Sequence, residues 1–283
     1  MTDYFKGKTI LITGGTGSFG TAFCEYMKDK GLKRLIVLSS TEEKQDRSKA
    51  KFRDVQNMRW FIGNVRDYPR LYEAFENVDI VIHAAAMKRI DICENEPDEA
   101  KKTNVDGTQN VIRAAMNRNV KKTLLISTDK AVAPINLYGT TKAMAQKLVI
   151  NANTHVGTKG LMFSVCRYGN VIGSAGSVVP LWKKMILDGA KSVPVTHPDM
   201  TRYWFKMQSA IDFVLDSLQK MNGGEIFIPR IKSIRITDLA KAMGVDYHVV
   251  GIRKGEKLHE SLDIDYSSDQ NEFMTVEEIR GTI

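Results

Sequence analysis

Through the first 167 positions, short apolar runs alternate with longer amphipathic stretches, and glycines or polar clusters mark the joins. Residues 8–13 (KTILIT) predict a first strand that ends in glycines, and residues 19–30 carry a helical period that stops at Gly31. Residues 35–38, 59–62, 79–83, 123–127 and 161–167 predict five further strands. Residues 105–118 and 138–152 predict helices among them. These strands are near-continuous apolar runs instead of alternating ones. Such strands are buried on both faces, which means a parallel sheet covered by helices on each side. The expected fold is therefore α/β, a doubly wound Rossmann sheet.

After Arg167 the rhythm changes. Gly169, Gly173, Gly176, Pro180, Pro194 and Pro198 punctuate the chain. A helix is expected over 209–221 and a short strand over 225–228, and Thr237 is expected to cap a helix over 238–243. The division that follows is a dinucleotide-binding domain over 1–168 and a smaller C-terminal substrate-binding lobe over 169–283, with some chain returning to the sheet. No linker separates them, so they are expected to pack as one unit. Residues 1–8 are polar and lead straight into a strand, and no apolar run approaches ~18 residues. Neither a secretory leader nor a membrane span is expected, and the place of work is the cytoplasm.

Composition narrows the chemistry. Hydrophobic residues make up 43% and charged residues 26%, as in an ordinary globular protein. Cys24, Cys93 and Cys166 are scattered and odd in number, which fits reduced thiols. No histidine or cysteine pair has ligand spacing, so no metal is expected. The net charge of +8 suits either nucleic acid or a polyanionic small molecule. The basic residues are dispersed and not interleaved with aromatics, so nucleic acid is not an expected partner.

The turn Thr13-Gly14-Gly15-Thr16-Gly17-Ser18-Phe19-Gly20 follows the first strand and opens the first helix. Glycine allows backbone to approach a pyrophosphate, and a helix N-terminus offers it free N–H groups and a positive dipole end. At the end of the second strand an acidic residue would favour NAD by holding a ribose hydroxyl. Here Ser39, Ser40 and Thr41 precede Glu42, Glu43 and Lys44. Hydroxyls and a lysine suit the extra phosphate of NADP, while the two glutamates keep NAD open.

The fifth strand ends in Ser127-Thr128-Asp129-Lys130, and Tyr138 and Lys142 follow one helical turn apart. A phenol titrates near ~10, too high for a base at neutral pH, and a neighbouring cation brings it down. That pairing suits removal of a hydroxyl proton as hydride leaves for a nicotinamide.

The glycine loop, His83-Ala84-Ala85-Ala86 and the Tyr138/Lys142 pair resemble extended short-chain dehydrogenases that act on nucleotide sugars. A narrower likeness lies in Ser127-Thr128-Asp129-Lys130-Ala131, residues 134–139, Arg167-Tyr168-Gly169-Asn170-Val171, Met200-Thr201-Arg202 and residues 251–260 (GIRKGEKLHE). These resemble the inverting UDP-N-acetylglucosamine 4,6-dehydratases, and the similarity runs from Lys8 to about Glu260. The resemblance implies that Tyr138, aided by Lys142 and Thr128, deprotonates the sugar 4-hydroxyl. Lys130 then removes the carbon 5 proton, which requires a neutral amine produced by burial and nearby cations. Asp129 protonates the leaving 6-hydroxyl, which requires a raised pKa.

The resemblance also implies cofactor contacts from Gly14, Thr16, Gly17, Ser18, Phe19, Gly20, Ser39, Ser40, Lys44, Asn64, Val65, Ala84, Ala85, Ala86, Lys88, Tyr138 and Lys142. It implies substrate contacts from Lys88, Asn170, Val178, Arg202, Arg253 and Glu256, with the two arginines on the UDP diphosphate. Family members form dimers and larger rings, so a homo-oligomer, dimer or hexamer, is expected. Three positions depart from the family: Ser40 replaces an arginine, Asn64 replaces an aspartate, and the stretch after Glu260 is short. A nucleotide-sugar 4-epimerase and a non-catalytic dinucleotide- or RNA-binding protein of the same superfamily remain as alternatives. Tyr203, Trp204 and Phe205 read as packing of the lobe.

Overall fold

The computed structural model describes residues 3–283, so Met1 and Thr2 of the polar leading stretch lie outside it. The first half interleaves β1 (Thr9–Thr13), α1 (Ser18–Met27), β2 (Arg34–Ser39), α2 (Glu42–Lys51), β3 (Met58–Ile62), α3 (Tyr68–Ala74) and β4 (Ile80–His83). Then come α4 (Ile90–Asn95), α5 (Pro97–Lys101), α6 (Gly107–Asn117), β5 (Lys122–Thr128), α7 (Leu137–Asn151) and β6 (Met162–Tyr168). The second half holds α8 (Val178–Leu187), β7 (Ser192–Val195), β8 (Thr201–Tyr203), α9 (Met207–Lys220), β9 (Ile226–Phe227) and β10 (Ser233–Arg235). It ends with α10 (Ile236–Ala242), β11 (Asp246–Val249), β12 (Ser261–Asp263), β13 (Tyr266–Ser267) and α11 (Val276–Arg280).

One seven-stranded parallel sheet runs in the order β3-β2-β1-β4-β5-β6-β9. The order reverses between β1 and β4, and a ligand crevice opens at the C-terminal ends of strands at such a switch. Every residue of β1 and of β4 is buried, the polar Thr9, Thr13 and His83 at their ends included. On one face Ile10, Ile12, Val37 and Ile82 pack against Phe23 and Met27 of α1 and Ile211, Val214 and Leu218 of α9. On the other, Leu11, Ile36, Val81 and Leu125 pack against α3, α6 and α7. Thus α9 and β9 belong to the sheet's layers although they lie far beyond position 168 in sequence. A separate core around Trp182, Trp204, Ile234 and Leu239 holds the rest of the second half together. Tyr203, Trp204 and Phe205 are all buried.

Two local expectations are corrected. Thr237 does not cap a helix: α10 starts at Ile236, its N-cap is Arg235, and Thr237 is buried within the first turn. The first helix ends at Met27 and not at Lys30. The Asp67 side chain, by contrast, caps α3 by accepting from the N–H of Arg70. Among the described residues, no helix is long and apolar enough to cross a membrane.

Candidate active site

The first wall of the crevice is the glycine turn. Gly14 has φ +65°, and a Cβ there would meet the backbone of Ala85 at 2.9 Å. Both facts demand glycine. Gly20 lets α1 sit directly on Gly15, where a Cβ would stand 2.5 Å from the Gly15 Cα. Helix α1 starts with no side-chain cap, so its first N–H groups are left for an anion. The Thr16 and Ser39 hydroxyls are hydrogen-bonded at 2.7 Å, joining this turn to the end of β2. Ser40 and Lys44 are exposed beside it, and Lys44 lines a cleft of about 820 Å³ with Thr16, Gly17 and Ser18. This cradle fits a dinucleotide.

The loop after β4 forms the next wall. His83 is buried between the Thr13 and Thr108 hydroxyls, and burial, with help from the Lys142 charge, pushes its pKa down to about 3. It is a neutral packing group. The Thr13 hydroxyl also accepts from the Ala85 N–H, which fixes Ala84, Ala85 and Ala86 beside the glycine turn. Asn104, in a π-helical stretch before α6, grips Met87 through both its N–H and its carbonyl. Sequence reasoning missed this anchor, although π-turns gather at functional sites. Asn64 is exposed and its carbonyl accepts from the Arg66 N–H, while Val65 is buried beneath it.

The end of β5 carries the reactive side chains. Thr128 is the last residue of the strand, and Asp129–Ala131 form one 3-10 turn. Helix α7 lies directly on this turn because Gly139 has no Cβ to strike the Lys130 carbonyl. Asn136 caps α7 by accepting from the Gly139 N–H at 2.7 Å. These two features bring Tyr138 against Thr128 and Lys130. Asp129 is 1% exposed and Tyr138 9% exposed. The Thr128 hydroxyl donates to Asp129 Oδ1 at 2.9 Å.

Lys130 stands between two buried carboxylates. Its Nζ is 3.1 Å from Asp129 Oδ1 and 3.2 Å from Glu260 Oε1. Burial presses the ammonium pKa down, but the charges of Asp129 and Glu260 outweigh it and hold it above the ordinary lysine range, against a smaller opposing push from Arg202. This corrects the expectation that surrounding cations make Lys130 neutral. The second oxygens, Asp129 Oδ2 and Glu260 Oε2, are buried without a hydrogen-bond partner among the described residues. Glu260 is 2% exposed. The sequence marks it only as the final letter of the motif over 251–260 and gives it no role, since its partner lies 130 positions away.

Tyr138 and Lys142 correct a second expectation. The Lys142 ammonium donates to the Ile126 carbonyl at 2.8 Å, and burial pushes its pKa down to about 7. Burial pushes the Tyr138 phenol up to about 12, while the Lys130 charge and the Thr128 hydroxyl pull the other way. The cation that acts on the phenol is therefore Lys130.

The lobe contributes a second subsite. Asn170, Val178 and Arg202 surround a small pocket of about 20 Å³, with Ser177 and Trp204. Asn170 Oδ1 and Ser177 Oγ are buried there without partners among the described residues. Sequence reasoning missed Ser177. The Arg202 guanidinium donates to the carbonyls of Thr201, Lys257 and Leu258, so here it clamps the chain that leads to Glu260. Arg253 is exposed, and its N–H donates to Glu256. Lys88 donates to the Ala175 carbonyl, and Ser18 accepts from the Ala175 N–H. The turn around Ala175 thus covers the phosphate loop. Among the described residues, no group of three or more histidine, cysteine or acidic side chains is placed to hold a metal.

Residues 10–279 match the model of a family described as "Polysaccharide biosynthesis protein". The inverting UDP-N-acetylglucosamine 4,6-dehydratase of Campylobacter jejuni is 48% identical over 260 residues, covering 91% of this chain and 78% of that protein. A UDP-glucose 4-epimerase of Rickettsia rickettsii is 40% identical over 269 residues, 91% of this chain and 78% of that one. The X-ray structure of Pen from Bacillus thuringiensis superposes with a TM-score of 0.93 at 33% identity, covering 98% of both chains.

Proposed function

Because this chain belongs to the polysaccharide biosynthesis protein family, we propose that its crevice dehydrates UDP-N-acetylglucosamine across carbons 5 and 6, with inversion at carbon 5. The product is a UDP-linked 4-keto-6-deoxy amino sugar, an intermediate for pseudaminic-acid-like bacterial surface sugars. The observation that carries this reading is the buried Asp129–Lys130 pair beside Tyr138. An oxidation or a 4-epimerisation needs only the tyrosine and its hydroxyl neighbour. A second acid–base pair is required when water is also eliminated.

The cofactor is NADP, held by the glycine turn, Thr16, Ser39, Ser40, Lys44 and the Ala84–Ala86 stretch. When bound, it supplies an acceptor for hydride at carbon 4 and returns hydride at carbon 6. Tyr138 takes the 4-hydroxyl proton as a phenolate, the form that the Lys130 charge and the Thr128 hydroxyl favour against burial. The ketone that forms acidifies the proton on carbon 5. Lys130 accepts that proton. Asp129 passes to the 6-oxygen, which leaves as water, the proton that Tyr138 took and relayed through the Thr128 hydroxyl. A proton is delivered to carbon 5 once carbon 6 carries its hydride. Lys130 must surrender the proton it holds before it accepts another. Asn170, Val178 and Arg202 hold the nucleotide, and Lys88, Arg253 and Glu256 complete its surroundings. The assembly is a homo-oligomer working in the cytoplasm.

The test is a mass spectrum of the sugar nucleotide after incubation with NADP and no added reductant. Loss of one water is the expected result. A product of unchanged mass with an inverted 4-hydroxyl assigns a 4-epimerase instead, the activity for which the Rickettsia relative is named.

A further inference from the structure

Lys130 has a proton to lose before it can act, and it has two candidate acceptors within reach. Asp129 Oδ1 already receives the Thr128 hydroxyl in addition to the ammonium. Glu260 Oε1 receives the ammonium alone, at 3.2 Å. The second oxygen of each carboxylate receives nothing among the described residues, so the Thr128 hydroxyl is what sets the two apart. A carboxylate buried with an unpartnered oxygen is costly, and the cost falls when the group becomes a neutral carboxyl. Protonating Glu260 loses less hydrogen bonding than protonating Asp129. It also leaves Asp129 free to take the 4-hydroxyl proton from Tyr138 through the Thr128 hydroxyl and give it to the 6-oxygen.

The backbone around Glu260 is built to hold that position. Its N–H donates to Ser268 Oγ at 3.0 Å, and the Ser268 hydroxyl is bonded to Thr201 at 2.7 Å. Arg202 fixes the two residues before His259, and Arg167 donates to the Leu262 carbonyl just after. A buried acid on so constrained a segment has a fixed geometry to Lys130.

We propose that Glu260 is a positioning residue for the elimination step: it takes the ammonium proton of Lys130, so that Lys130 meets the sugar as a free amine. The Nζ–H bond breaks, an Oε1–H bond forms, and an ion pair becomes a neutral pair. No proton enters from solvent and no co-reactant is needed. A sugar nucleotide seated over the pair would favour the neutral form, because excluding water penalises separated charges. This inference rests on the dehydratase reading and assigns a role to a side chain that reading does not use.

The test uses the full chain with NADP and UDP-N-acetylglucosamine. Three quantities are followed: formation of reduced cofactor in a single turnover, exchange of the carbon 5 proton in heavy water, and release of the dehydrated product. Glu260→Gln keeps the amide oxygen as an acceptor but cannot take a proton. It is expected to oxidise carbon 4 with a KM within about threefold of the parent, and to lose carbon 5 exchange by about 100-fold at neutral pH. Glu260→Asp is expected to restore most of that loss.

The pH profile separates this role from a merely structural one. Lys130 is faced by Asp129 from the end of β5, Tyr138 from α7, Arg202 from β8 and Glu260 from the lobe segment. In the parent the proton moves within the pair, so exchange is level across neutral pH. In Glu260→Gln the proton must leave to solvent, so exchange rises about tenfold per pH unit. Parental exchange rates in Glu260→Gln, or a deficit that does not change with pH in a variant that melts like the parent, overturn the proposal. A parent that dehydrates no UDP-sugar defeats the functional reading, and this inference falls with it. A parent that dehydrates alongside an unaffected Glu260→Gln defeats this inference alone.

Discussion

Lys88 and Ala175 are 87 positions apart in sequence, and the Lys88 ammonium donates to the Ala175 carbonyl at 2.9 Å. The N–H of the same alanine donates to Ser18 at the head of α1. Gly173 and Gly176 flank it with φ +71° and +76°, which is what lets the turn fold back over the phosphate loop. Lys88→Met removes one of the two ties. The expected outcome is faster release of the dinucleotide, with about tenfold weaker binding, read by fluorescence titration of the reduced cofactor. Thermal stability should barely move, because Lys88 is exposed.

Lys142 links structure to pH. Its pKa falls from 10.5 to about 7 on folding, through burial. The unfolded chain therefore binds more protons than the folded chain between about pH 7 and 10.5, and stability rises with pH across that window. Below it the folded state carries a buried ammonium whose main satisfaction is the Ile126 carbonyl. Lys142→Met is expected to be more stable than the parent at pH 6 to 7, by about 1–3 kcal/mol. The gap should close as the pH approaches 10. Thermal unfolding of both proteins across that range, without cofactor, checks the sign. A gap that widens with pH contradicts the burial of a charge at this site.

How far the site could be read from sequence differs from residue to residue. The β1 turn and Thr128 were legible because each sits at a strand end, and strand ends define the crevice. Tyr138 was legible from its spacing to Thr128 and Lys142 at the head of the next helix. The partnership of Tyr138 with Lys142 was legible only as a shared helix face. One turn of separation says nothing about where a long side chain ends, and Lys142 ends under β5. Glu260 was legible as the end of the motif over 251–260 but not as a partner of Lys130, since that contact spans 130 positions of chain. Helix α2 was missed for a different reason: its sequence EEKQDRSKAK has no apolar stripe, and Gln45 is its one buried residue. Gln45 is held by polar contacts, donating to the carbonyls of Ser39 and Phe61. Helix α8 was lost among the glycines and prolines around it, although Pro180 is compatible with the first turn of a helix.

The NADP reading makes Lys44 the residue that would choose between cofactors. It lies exposed beside Thr16 and Gly17, at the end of the sheet where a ribose 2′-substituent would sit. Glu42 and Glu43 precede it on the same helix. Lys44→Glu reverses the one positive charge of that first turn. NADP binding is expected to weaken by about tenfold or more, because a charge-assisted contact to phosphate is replaced by repulsion. NAD binding should change by less than about threefold, since it carries no phosphate there. Equal losses for the two cofactors would place the phosphate elsewhere.

Arg202 decides whether the two halves of the site meet. The sheet side supplies Thr128, Asp129, Lys130 and Tyr138, and the lobe supplies Glu260. The lobe segment is held by a planar fork: one Arg202 nitrogen donates to the carbonyls of Thr201 at 2.7 Å and Leu258 at 3.0 Å, and the other to Lys257 at 2.9 Å. A lysine in its place keeps the charge but has neither the reach nor the flat geometry for three carbonyls. Arg202→Lys should therefore let residues 257–260 drift from Lys130. Oxidation at carbon 4 depends on side chains of the sheet side and should persist. Elimination depends on the junction and should fall by about 10- to 100-fold in kcat, with KM also raised if Arg202 holds the nucleotide as proposed. The reduced cofactor should then accumulate during turnover, since the second hydride transfer waits on a slowed elimination. An Arg202→Lys enzyme that shows a raised KM but an unchanged kcat, with no such accumulation, would make the arginine a nucleotide ligand and nothing more.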